Sequence, residues 1–221
     1  MIAILASVLD GVLIGAVYGL AAMGLTLIWG VMNVINLAHG AMTVFGMFAL
    51  YFLASVLGLP AYSAVPIAIL VGFVCGVALY WIAVHRIIGR PELMSLLATF
   101  AVNMVLIGVG TALWTTSPFN VPVTLPGFTW QGYTFTGTHI MAAVLAGVIA
   151  GLLYLFLHHT RIGKAIRAVA QNREAAELSG IPTKQILSMA FGLGVALAAV
   201  SGCPGPSRRL PAWSRMPIPS G

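Results

Sequence analysis

Asn33, Asn36 and His39 follow one another at intervals of three and interrupt a region without charge. On a helical turn their side chains share a face. Two amides and an imidazole in an apolar setting need partners or a water-lined cavity. Their chemistry is neutral hydrogen bonding. It serves either to cap and join helices or to form a hinge or part of a translocation path. No second set of ligands accompanies His39, which argues against a metal site. Thr99 and Asn103 lie four apart on one face of another apolar run, where they either line a path or join helices. Asp10 is the only acid before Glu92 and reads as an interfacial group. A proton-coupled carrier usually places an acid deep in the membrane.

A second chemistry-bearing stretch is charged. Residues 158–184 hold Arg161, Lys164, Arg167, Arg173 and Lys184 against Glu174 and Glu177. Ile162, Ala165, Ile166 and Val169 fit one helical face, with Lys164 and Arg167 beside it. Asn172 is placed to cap a second short helix beginning at Arg173. Gly180 can end that helix in the left-handed conformation, with Pro182 following. Two short helices in an L-shape are expected, as a generic interfacial element or as a dock for a cytoplasmic partner. The chain has no Gly-x-x-x-x-Gly-Lys-Ser/Thr loop, so it does not bind nucleotide in that way.

The elements that position these groups are set by composition. Of 221 residues, 60% are hydrophobic and 6% charged, and the mean hydropathy is +1.04. A soluble chain carries about 25% charged residues, so soluble enzymes, nucleic-acid binders and disordered tails are excluded as the main reading. The net charge of +6 sits in short clusters between long apolar runs. No Asp, Glu, Lys or Arg occurs from Gly11 to His85, or from Leu93 to Thr160. Each gap holds more than one helix of about 20 residues. Abundant Gly and Ala suit close helix packing in lipid, and a membrane barrel would instead show short alternating strands. A removable signal peptide fits poorly, because the first stretch contains Asp10 and lacks a basic start. Cys75 and Cys203 indicate no disulfide framework.

The fold class is therefore an all-α polytopic membrane protein. Six spans are expected, at 5–30, 40–57, 62–84, 93–114, 139–157 and 185–202. Residues 115–138, with three prolines and no charge, read as an external loop. Pro66 marks either a kink or the start of the third span. The basic loops 85–92 and 158–184 belong on the cytoplasmic side, which puts Asp10 outside and the turn 31–39 inside or dipping into the membrane. His158 and His159 then sit at the interface. Residues 203–221 contain five prolines and three arginines on the external side. This breaks the pattern and reads as a divergent, non-native or unstructured tail.

Two segments carry a family resemblance. One is Tyr18-Gly-Leu-Ala-Ala-Met-Gly-Leu-Thr-Leu-Ile-Trp-Gly30 with Asn33, Asn36, Ala38, His39 and Gly40; the other is 160–181, with Glu174, Ala175, Ala176 and Gly180. Residues 190–202 add a third, weaker match. The chain resembles the branched-chain amino acid ABC transporter permeases of the LivH type, in the N-terminal portion of a longer importer permease. The resemblance implies an incomplete transmembrane permease domain over 1–202, with a cytoplasmic coupling loop at 158–184. It further implies coupling to ATPases through Arg173, Glu174, Ala175, Ala176 and Gly180. The implied partners are a second permease subunit, two cytoplasmic ATPases, an external solute-binding protein and membrane lipid, with no nucleic acid. The chain would bind no cofactor, and ATP would be used by the partner subunits. The implied substrates are leucine, isoleucine and valine. Urea or short amides are the alternative within the family. A secondary transporter or a structural membrane protein are the readings outside it.

Overall fold

A computed structural model describes residues 2–55, 63–114, 128–130, 133–135 and 137–202. In chain order these form α1 (Ile2–Met32), α2 (His39–Ser55), α3 (Val65–Ile82), α4 (Glu92–Trp114), β1 (Phe128–Trp130), β2 (Tyr133–Phe135), α5 (Gly137–His159), α6 (Arg161–Gln171), α7 (Arg173–Leu178) and α8 (Thr183–Ser201). The expected tail 203–221, with Cys203, lies outside the described residues, as does most of the loop 115–138.

Five helices are long and apolar enough to cross a bilayer: Ser7–Met32, Val65–Arg86, Leu93–Leu113, Gly137–His159 and Thr183–Ser201. The sixth expected span is α2, an apolar helix of 17 residues. At 1.5 Å per residue it measures ~25 Å, short of the ~30 Å hydrocarbon core. Pro66 sits in the first turn of α3, where its missing N–H costs nothing. The expected outer loop contains a hairpin. β1 pairs antiparallel with β2, Thr129 opposite Thr134. Aromatic and Thr residues flanking Gln131-Gly132 are a recognisable hairpin pattern, hidden in the sequence among prolines.

α8 is the axis of the bundle. Its packing against α3 is the most extensive, followed by α1 and then α2. Small residues make this possible. A Cβ on Gly24 would meet the Gly194 carbonyl at 2.5 Å, and one on Gly76 would meet the Gly192 Cα at 2.9 Å. A Cβ on Gly46 would run into the backbone of Ala199. Lipid tails are as apolar as these side chains, so close van der Waals contact rather than escape from water holds such crossings. Toward one end the core closes around Tyr80 and Phe191, both fully buried, with ring centroids 6.3 Å apart.

The two ends of the bundle differ chemically. At one, the Asp10 carboxylate meets Nδ1 of His139 at 2.7 Å, tying the starts of α1 and α5 together. At the other, Val31–Val34, Ile88–Arg90 and Val169–Gln171 surround one cavity. The turn after α1, the loop before α4 and the corner after α6 thus share the end that carries the basic residues.

Candidate functional site: a polar turn inside the bundle and a basic helical corner

α1 ends because Asn33 adopts φ 53°, a left-handed conformation that Asn tolerates better than most residues. Its N–H still donates to the Trp29 carbonyl at 2.8 Å, and its side chain is exposed. The chain then runs back into the bundle. Asn36 is buried, and its Oδ1 accepts from the Ala38 N–H at 3.1 Å, a local turn of the Asx type. Thr99 Oγ1 donates across from α4 to the Ile35 carbonyl at 2.9 Å. His39, the first residue of α2, is buried and bonds through Nε2 to the Ala21 carbonyl at 3.0 Å. A carbonyl only accepts, so this nitrogen carries the proton.

These contacts fix the depth of the turn. His39 lies beside Gly24, eight residues before the end of α1, or ~12 Å along the axis. Thr99 stands seven residues into α4, or ~10 Å. α2 therefore begins well inside the bundle, and residues 33–38 are a re-entrant segment. Non-helical backbone at such depth is tolerated where protein surrounds it. Thr99 and Asn36 supply some of the bonds that the broken helix lacks.

The expectation of one helical face for Asn33, Asn36 and His39 does not survive this geometry, because residues 33–36 are not helical. The structure brings Asn36 and Thr99 together around a cavity of about 10 Å³ that Met42, Val102 and Phe191 also line. That is room for about one water. His39 faces α1, and its Nδ1 is buried with no partner among the described residues. Asn33 stays at the exposed end. Asn103 is half-buried one turn beyond Thr99, and among the described residues nothing bonds to its side chain.

The charged stretch folds as its local signals dictate. Thr160 caps α6 by accepting from the Gly163 N–H at 3.0 Å. Gly163, Ile166 and Val169 face inward, while Arg161, Lys164 and Arg167 are exposed. Ile162 was expected inside but turns outward, and Gly163 takes the inner position, where a Cβ would strike the backbone of Phe156 and Leu157. Asn172 ends α6 and caps α7, accepting from the Ala175 N–H at 3.0 Å. Gly180 closes α7 at φ 79°, with its N–H on the Glu177 carbonyl at 3.0 Å. Pro182 follows as the N-cap of α8.

The side chains of α7 divide sharply. Ala176 is buried and packs the corner against the bundle. Glu174, Ala175 and Gly180 face out, and Arg173 lies between. Glu177 accepts from Thr183 Oγ1 at 2.6 Å and from Arg173 Nε at 3.3 Å. The Thr183 hydroxyl first, and Arg173 after it, hold this carboxyl below the ordinary carboxylate range. Sequence reading missed Leu178, which is 91% exposed at the end of α7. An apolar residue one position past Glu177 on a capped polar helix was the available signal. Among the described residues no three His, Cys, Asp or Glu side chains group as a metal site requires.

Residues 7–209 match the family described as branched-chain amino acid transport system / permease component. The match runs past Gly202, where the resemblance read from the sequence stops. The chain is 25% identical to the high-affinity branched-chain amino acid transport system permease protein BraD of Pseudomonas aeruginosa, over 89% of this chain and 69% of that protein. It is 25% identical to LivH of Escherichia coli K12, over 87% and 67% respectively. It is 31% identical to a probable LivH of Methanocaldococcus jannaschii, over 83% of this chain and 60% of that protein. No solved structure matches it. With five long apolar helices on a broken α1–α2 frame and a family match over most of its length, the chain belongs to the branched-chain amino acid transport permease family, as a multi-pass inner-membrane transport component and not an enzyme.

Proposed function

We propose that this chain is the permease subunit of an ATP-driven importer for leucine, isoleucine and valine. In this reading the basic end is cytoplasmic, and the α6–α7 corners of two permease subunits dock two ATPase subunits. An external binding protein delivers the solute, and a second permease subunit completes the path. ATP is bound and hydrolysed by the partners. Their closure shifts the path between outward and inward access, a population shift between two states of one site.

The observation that carries the proposal is the α6–α7 corner. It is anchored by Gly163, Ile166, Val169 and Ala176, while it presents Glu174, Ala175, Gly180 and Leu178 outward. Leu178, between Glu177 and Ser179, is 91% exposed at the end of α7 and adds an apolar contact to that outward face. The re-entrant turn with Asn36, His39, Thr99 and Asn103 supports a place in the path or its hinge, with Asn33 at its mouth. Amides, a hydroxyl and helix ends suit a zwitterion. They suit urea or a short amide as well, which stays the alternative substrate class.

The test is reconstitution with the partner ATPases and binding protein. Glu174→Ala and Leu178→Ser are expected to lower ATPase co-purification and ATP-dependent leucine uptake while leaving the melting temperature of the permease unchanged. Uptake and assembly at wild-type levels in both variants would sink the docking role. Transport of urea in preference to leucine would move the substrate to the alternative.

A further inference from the structure

At the basic end lies a cavity of about 330 Å³, at the lower end of the roughly 300–1,000 Å³ of small-molecule sites. Arg90, Arg173, Asn33, Gln171 and Ser95 line it together with Val31, Met32 and Val34. Among the described residues none that lines it is acidic. We propose that this cavity holds the phosphate of an acidic lipid headgroup from the inner leaflet, and that the bound headgroup joins the re-entrant turn to the α6–α7 corner.

Three observations converge. Two arginines from different segments line one cavity, and guanidinium offers only donors, in a fork that matches phosphate oxygens. Arg173 donates from Nε to Glu177 at 3.3 Å, and its two terminal nitrogens carry its other donors. The neutral lining groups add amide and hydroxyl donors. Asn33, Arg90 and Gln171 are exposed while Ser95 is only 3% exposed, so the cavity runs from the surface to a buried residue of α4.

Position favours a lipid over free phosphate. Ser95 stands in the first turn of α4, and Leu93, Met94 and Leu97 beside it are 75%, 55% and 66% exposed. An acyl chain attached to a headgroup in the cavity has this apolar face to follow. Basic pockets between helices on the cytoplasmic side suit anionic headgroups for this reason.

The test is native mass spectrometry of the full chain in detergent, with dioleoyl phosphatidylglycerol, dioleoyl phosphatidylcholine and inorganic phosphate as probes. The wild type is expected to retain phosphatidylglycerol and shed phosphatidylcholine. Arg90→Gln is expected to weaken retention roughly tenfold, as loss of one charge-assisted contact would. Arg90→Lys, which keeps the charge but not the fork, is expected to lose less than Arg90→Gln, and Arg161→Gln, which removes an equal charge outside the cavity, is expected to stay close to wild type. Circular dichroism of each variant checks that the fold is kept. Equal retention of phosphatidylglycerol by Arg90→Gln and wild type overturns the proposal, and so does equal retention of the two lipids. Displacement of phosphatidylglycerol by excess inorganic phosphate overturns the lipid source and assigns the cavity to a free anion.

Discussion

α5 and α8 are both apolar helices of spanning length, and they sit in opposite surroundings. α5 has the higher mean hydropathy, 2.6 against 1.5, yet only 11% of its window is buried inside the protein, against 78% for α8. In a water-soluble protein the order would be reversed. Here the most apolar helix turns outward because its solvent is hydrocarbon, and the helix with more Gly, Ala and Ser turns inward because protein packing needs close approach. Between these two helices, higher hydropathy goes with exposure on the bundle surface and small-residue content goes with burial inside it.

The largest effect that tests this contrast is a charge on the outer face of α5. Val148 is 53% exposed near the middle of that helix. Val148→Lys is expected to cost about 2.5–3.5 kcal/mol of insertion free energy, read from the inserted fraction in a glycosylation-mapping assay, with Val148→Leu neutral. Equal insertion of both variants would mean that α5 faces water or protein. The next effect lies on α8. Gly194→Leu drives a side chain into Ile28 and the Gly24 carbonyl, and is expected to destabilise by about 1–3 kcal/mol in a denaturant titration. Gly147→Leu on α5 meets nothing within 4 Å and should change little. Similar losses in both would break the comparison.

Two threonines sharpen it further. Thr99 bonds to the Ile35 carbonyl of another segment, whereas Thr111 bonds only to Ile107 and Gly108 of its own helix. Thr99→Val should cost about 1 kcal/mol and Thr111→Val close to nothing, measured by thermal unfolding in detergent. Between α5 and α8 stands the polar corner. Asn172→Ala removes the α7 cap and should lose about 1 kcal/mol of local helix stability, seen as faster amide exchange confined to 173–178. The smallest effect is on pH. Glu177 is held below the ordinary carboxylate range, so its bonds to Thr183 and Arg173 are present above that range and are lost as pH falls through its lowered pKa. Exchange at the start of α8 should quicken only in acid, and Glu177→Gln should flatten that dependence.

The parts of this fold legible in the sequence are those with local causes. Asn172, Gly180 and Pro182 act within a few residues of themselves, so α6–α7 emerges with its caps and its break in place. The long charge-free runs name the spans for the same reason. The re-entry after Asn33 is different. Its depth depends on Thr99 and His39 bonding to carbonyls 64 and 18 residues away, and no periodicity within 33–39 encodes that. The Asp10–His139 pair joins positions 129 apart through packing alone. Of the candidate site residues, Asn36 and Thr99 share a cavity, while Ala176 is a packing residue and Leu178 was invisible until its exposure was seen.

The central place of α8 also bears on how the chain is made. α8 is the least hydrophobic of the five long spans and follows the others in the chain. Its partners α1, α2 and α3 are synthesised first and can already stand in the bilayer when it emerges from the ribosome. Lipid welcomes α5 unaided, but α8 finds its complement only in the cleft those three helices leave open. Its insertion is therefore a docking event as much as a partitioning event. A substitution at Gly24, Gly46 or Gly72, far upstream in the reading frame, would then appear first as a failure of α8 to leave the translocon.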